Sequence, residues 1–171
     1  MFTRRTQVNI RILFLSAMLL TEAAAQTLPS DPIKSFVGAW DVHPEAGRHM
    51  PHAPPFFRRV IIEQAGDGLR ESLVDRVLLQ DVPSVVASYT LDGREGSARI
   101  SGIDVTTHAR LEAGTLQITW RERENPRAPI IKRVFSVSSD GRTMKCEIYD
   151  SDAVESPVEV YVLKRSRAAP P

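Results

Sequence analysis

Few residues of this chain are of types that do chemistry, and they fall into small clusters. His43, His49, Met50 and His52 lie within one short segment. Imidazole and thioether groups ligate copper or haem iron, but this spacing matches no metal motif, and solvated loop residues beside prolines are the plainer reading. Arg133 shares its strand parity with Ile131, Phe135 and Val137, so a strand here puts a guanidinium on an apolar face. A buried guanidinium needs an anion or several acceptors. It could clamp a ligand carboxylate with both arms, pair internally with Glu122 or Glu124 of the preceding strand, or sit at a rim facing water. Cys146 is the single cysteine, so no intramolecular disulfide can form. It alternates with Met144 and Ile148 and reads as small apolar filler rather than a reactive thiol. Asp150, Asp152 and Glu155 lack the ligand count and the glycine of a calcium loop. His108 is the only other histidine, and no partners for a Ser-His-Asp arrangement can be picked out. With no nucleophile elbow, zinc helix or phosphate loop, no catalytic residue, metal or cofactor is expected.

The segments that must position these residues begin after a leader. Arg4, Arg5 and Arg11 form a basic start, Ile12 to Leu20 a short apolar run, and Ala23-Ala24-Ala25 the small residues read by a signal peptidase. The expectation is a signal peptide over 1–25 cleaved before Gln26, and a periplasmic or secreted protein. The apolar run is about half the ~20 residues of a membrane-spanning helix, and no cysteine follows it to carry a lipid, so no stable membrane anchor is expected. Arg4, Arg5, Arg11 and Glu22 leave with the leader, and the formal net charge moves from +1 to −1. Such a mixed surface offers no long-range field to hold nucleic acid.

Beyond the leader, 26–35 reads as a linker, 36–166 as one domain and 167–171 as a frayed tail. Phe36 to Val42 is a short strand. The proline-dense His43 to Pro55 reads as a long loop, because proline cannot sit in a central strand. From Phe57 onward the period is two. Apolar faces recur at Ile103, Val105, Thr107, Ala109 and Leu111, at Leu116, Ile118 and Trp120, and at Met144, Cys146 and Ile148. Val158 to Arg165 also alternates, with Val158, Val160 and Val162 against Glu159, Tyr161 and Leu163. Turn signals fall at Gly66-Asp67-Gly68, Asp92-Gly93, Ala113-Gly114 and Asp140-Gly141. Eight to ten strands joined by hairpin-length turns form a meander, and a meander leaves two raw edges unless it closes. The expected fold is all-β, an antiparallel up-and-down barrel of 8–10 strands.

Gly38-Ala39-Trp40 resembles the G-x-W signature that opens lipocalin-like, or calycin, barrels. The chain is also similar to a family of small exported bacterial lipocalin-like proteins. The similarity rests on Ile62-Glu63-Gln64-Ala65-Gly66-Asp67-Gly68-Leu69, Asp92-Gly93, Ser138-Ser139-Asp140-Gly141-Arg142-Thr143-Met144 and Val160-Tyr161, in that order. It departs from them in the His43 to Pro55 segment and in its arginine-rich middle strands. The resemblance implies a barrel whose Trp40 plugs one end, with Gly38 allowing close approach and Arg165 or Lys164 packing over the indole. It carries no assigned activity. The leading expectation is therefore a non-enzymatic barrel that binds a small hydrophobic or amphipathic ligand in its lumen, lined by Trp120, Arg133, Phe135, Met144 and Ile148. The alternatives are a structural or interaction module in which the same residues fill a dry core, and a haem- or cofactor-dependent enzyme.

Overall fold

The computed structural model describes residues 31–48, 57–77, 80–100, 102–125, 127–150 and 155–167. The leader, the His49-Met50-His52 cluster, Ser151-Asp152 and the end of the tail lie outside them. After a 3-10 turn over Pro32–Ser35 come ten strands: β1 Gly38–Arg48, β2 Arg59–Ala65, β3 Gly68–Val77, β4 Gln80–Thr90, β5 Asp92–Ile100, β6 Ile103–Glu112, β7 Thr115–Glu122, β8 Ile131–Val137, β9 Thr143–Tyr149 and β10 Glu159–Arg165. Each pairs antiparallel with its sequence neighbour, and β1 pairs with β10, so the meander closes as a barrel. The up-and-down expectation holds, with the strand number at its upper limit. Closure gives every strand two partners and removes the raw edges of an open sheet.

The expected loop from His43 needs correction. β1 continues through it to Arg48, and its register on β10 jumps between Val42↔Leu163 and Gly47↔Tyr161. On its other side β1 pairs with β2 only from Gly38 to Asp41. Pro44 therefore falls in an irregular stretch where no ladder hydrogen bond is required of it, and that is how a strand tolerates proline. Pro83 is accommodated similarly. It pairs with Val74 while Leu73 pairs with Val85, so Ser84 is the extra residue of a bulge, and its Oγ donates to Leu73 O at 3.2 Å. The bulge therefore belongs to β4, and β3 runs straight past it. β5 turns into β6 at Gly102. One seam of the wall is thin: among the described residues, β4 and β5 pair at Val85↔Ile100 and Val86↔Arg99 alone.

Alternation sends one face of each strand inward. Val60, Ile62, Leu69, Leu73, Val85, Ala87, Ile100, Val105, Ala109, Leu116, Ile118, Phe135, Met144, Cys146 and Leu163 join one continuous apolar cluster. β10 turns Glu159, Tyr161 and Leu163 inward and leaves Val160 and Val162 half-buried.

One end of the barrel is stoppered. Trp40 is fully buried, and its Nε1 donates to Phe36 O at 2.8 Å. Arg165 lies over the indole, its guanidinium carbon 4.2 Å from the ring centroid. It also donates to Val37 O at 2.8 Å, Ser35 O at 2.9 Å and Gly141 O at 2.9 Å. It thereby ties the entry to β1, the 3-10 turn and the β8–β9 turn to one ring. Gly38 has φ +136°, and a Cβ there would stand 2.7 Å from Arg165 Nη1, so any side chain would be strained and would push the guanidinium off its place. Lys164 pairs across to Asp41 and Thr143 and is exposed. Arg165→Met is expected to cost about 1–3 kcal/mol in urea denaturation, through one cation–π contact and three lost hydrogen bonds. Lys164→Met is expected to stay within about 0.5 kcal/mol of the parent.

Candidate functional site

Arg133 faces inward on β8 and is 1% exposed. Its partner is neither Glu122 nor Glu124 but Glu71, on β3, which is fully buried. Arg133 Nη1 donates to Glu71 Oε1 at 2.8 Å and Nη2 to Oε2 at 2.7 Å. This is the two-armed geometry that a ligand carboxylate could have used, and Glu71 occupies it. In the ring of ten strands β3 and β8 stand five places apart, on opposite walls. The ion pair therefore crosses the bore. Tyr89, inward on β4, donates from its hydroxyl to Glu71 Oε2 at 3.1 Å. The carboxylate thus holds three donors, and the group as a whole carries no net charge.

The surroundings are apolar. The Arg133 guanidinium carbon is 5.6 Å from the Trp120 ring centroid and 5.5 Å from that of Phe135. Across the ladders Arg133 faces Ile118 on β7 and Ile148 on β9. Burial opposes the guanidinium charge, but the Glu71 carboxylate together with Tyr89 more than compensates, so Arg133 holds its proton more tightly than usual. Burial, reinforced by the Glu71 charge, raises the Tyr89 hydroxyl well above its ordinary range. Two N–H groups in this corner have no hydrogen-bond partner among the described residues, Arg133 Nε and Trp120 Nε1. An unanswered buried donor is costly.

The other residues singled out from the sequence have definite places. Phe135, Met144 and Cys146 are fully buried in the core, while Trp120 and Ile148 are half-buried against it. Burial pushes the Cys146 thiol up from 9.0 to about 12. A second buried acid–phenol pair, missed in the sequence, lies on β10, where Tyr161 Oη donates to Glu159 Oε2 at 2.6 Å. The Tyr161 ring packs on Phe57 at 5.1 Å between centroids. His43 is half-buried on β1, with no partner for its Nδ1 among the described residues. His108 is exposed on the outer wall, its Nδ1 3.2 Å from Gly93 O. It borders a groove of about 360 Å³ with Arg110, Gln117, Thr119 and Lys132. There Arg110 is taken up by Gln117 and Glu112, and Lys132 lies over the Tyr149 ring. No group of three metal-ligating side chains occurs among the described residues.

Glu71, Tyr89 and Glu159 were missed because a strand pattern scores apolar faces. The available signal was a polar residue flanked at i±2 by apolar ones. Glu71 sits between Leu69 and Leu73, and Tyr89 follows Val85 and Ala87.

Glu71→Leu alone is expected to cost ~3–5 kcal/mol, because it strands the buried Arg133 charge. Adding Arg133→Met should recover most of that loss, and Tyr89→Phe should cost about 1 kcal/mol. Urea denaturation of the three variants checks this. A pH dependence follows from the raised thiol and phenol. In the unfolded chain Cys146 ionises near 9.0, in the folded chain only near 12, and Tyr89 shifts in the same direction. Stability is fully present below pH 9 and falls as pH rises towards 12, because the unfolded state releases its protons first. Cys146→Ala should flatten part of that fall.

No known family profile matches the chain, and no curated protein matches it in sequence. Solved structures do resemble it. A secretary abundant heat soluble protein from Ramazzottius varieornatus superposes with a TM-score of 0.59 at 12% identity, over 77% of this chain and 96% of its own. The Caenorhabditis elegans lipid binding protein 8, in its apo form, gives 0.56 at 7% identity, over 78% and 96%. A Schistosoma mansoni fatty acid binding protein in complex with arachidonic acid gives 0.53 at 14%, over 80% and 99%. At these identities the likeness is one of fold, and the chain has the closed antiparallel architecture of the lipocalin-like, fatty-acid-binding barrels.

Proposed function

We propose that this chain is an exported, non-enzymatic barrel that carries one small apolar or amphipathic ligand in its lumen. Export rests on the leader pattern of Arg4 to Ala25, with cleavage before Gln26. The observation that carries the binding reading is the interior itself. A wall of apolar side chains, stoppered at the Trp40 end, holds a polar cluster in which Arg133 Nε and Trp120 Nε1 lack partners among the described residues. Apolar lining with a few convergent polar groups is the usual make-up of a small-molecule site. Structural neighbours that bind lipids support the reading by analogy of fold.

The second reading, a filled-core interaction module, draws on a different observation. Glu71 already answers the Arg133 charge, so the arginine has a purely structural use.

Native mass spectrometry of the protein recovered from its own compartment separates the two. The carrier reading expects a mature mass beginning at Gln26 plus an adduct of a few hundred daltons, released on denaturation. A bare mature mass from protein never exposed to detergent or solvent favours the filled module.

A further inference from the structure

The Arg133–Glu71 pair leaves the barrel an interior in which charge and hydrogen bonding are unequally satisfied. Charge is balanced, because one guanidinium meets one carboxylate through both arms, and the third donor to that carboxylate is a neutral phenol. Hydrogen bonding is not balanced. Arg133 Nε and Trp120 Nε1 are both donors, both shielded from solvent and both unanswered. No described acceptor reaches either. They belong to neighbouring side chains, the guanidinium carbon lying 5.6 Å from the indole centroid.

They also sit on one side of the crossing pair. Along β7 and β8, Trp120 and its cross-strand neighbour Ile131 lie one inward position beyond Arg133, away from the end that Trp40 closes. In the same cross-strand row as Arg133, Ile148 leads to Glu159, a second buried carboxyl whose partner among the described residues is a phenol, not a cation.

An occupant bringing a carboxylate here would meet a guanidinium already neutralised by Glu71 and would bring in an unbalanced buried charge, with Glu159 two strands away. Such a charge is heavily penalised in an apolar interior. An occupant bringing an uncharged oxygen would answer the two N–H groups and introduce no charge. We infer that the ligand's polar end is an uncharged hydrogen-bond acceptor, a hydroxyl or carbonyl oxygen, taken by Arg133 Nε and Trp120 Nε1, with its apolar body against the surrounding side chains. The inference rests on the carrier reading above and names the headgroup class of that same site.

The test uses four probes of equal chain length, hexadecan-1-ol, hexadecanal, hexadecanoate and hexadecane, titrated into delipidated mature protein and read by tryptophan emission and by competition with a fluorescent lipid. The alcohol and aldehyde are expected to bind at least tenfold more tightly than the acid at mildly alkaline pH, where the acid is ionised, and more tightly than the alkane. Trp120→Phe keeps the ring and removes the donor. It should weaken alcohol and aldehyde binding several-fold and leave alkane binding unchanged, with competition as the readout in this variant. Preference for the acid, or equal binding of all four with no effect of Trp120→Phe, overturns the headgroup assignment and leaves the carrier intact, the donors then being answered by water. Binding of none of the four by a folded protein overturns the carrier reading itself.

Discussion

A full charge pair stretched across the bore of a small barrel constrains everything around it. Arg133 and Glu71 come from opposite walls and meet through both arms of the guanidinium, so the wall-to-wall distance is tied to two side-chain lengths. Neither residue tolerates loss of the other, since removing either leaves a bare buried charge. The neighbours are suited to that demand. Tyr89 adds a third donor to the carboxylate, and Trp120 and Phe135 present ring faces to the guanidinium. Cys146, inward on β9, adds bulk and keeps its proton. The apolar cluster strengthens the attraction inside the pair by excluding water.

The barrel uses two arginines in opposite ways. Arg133 is sealed in, and its charge is matched by a charge. Arg165 remains at the surface, and its charge is spread over three backbone carbonyls and the face of Trp40. The first fixes the interior, and the second fastens the chain's entry to its exit, because β1 and β10 are the strands that must meet for the barrel to close. Gly38 belongs to that fastening, for only a residue without a side chain lets the guanidinium lie where it does.

Much of this architecture was legible in the residues. The period of two, the Asp-Gly and Gly-rich turns and the run of short strands pointed to a closed meander. Arg133 was visible as a cation on an apolar face. Its partner was not, because Glu71 is distant in the chain and on the far wall, and nothing local records which strands stand opposite one another. β10 shows another limit. Its β-branched residues, Val160 and Val162, are the obvious inward set by propensity, yet Glu159, Tyr161 and Leu163 turn inward, since a phenol and a carboxyl can satisfy each other where a valine has no such need. The proline-rich continuation of β1 was misread for a related reason. Proline excludes a residue from a regular ladder, and His43 to Ala46 is irregular on both sides, so the rule was sound and the premise of regular pairing was not.

The thin seam between β4 and β5 gives the wall an uneven mechanical character. Among the described residues, two pairs, Val85 with Ile100 and Val86 with Arg99, join β4 to β5, the fewest of any neighbouring strands. Next in order, β1 and β2 share four residue pairs, and the remaining neighbours share more. In connectivity the molecule is a cylinder, but by its ladder pairs it is a curled sheet whose two margins are basted rather than stitched. With the fewest ladder pairs to break, that line is where local opening of the wall is expected to cost least, below the cost of unravelling the barrel.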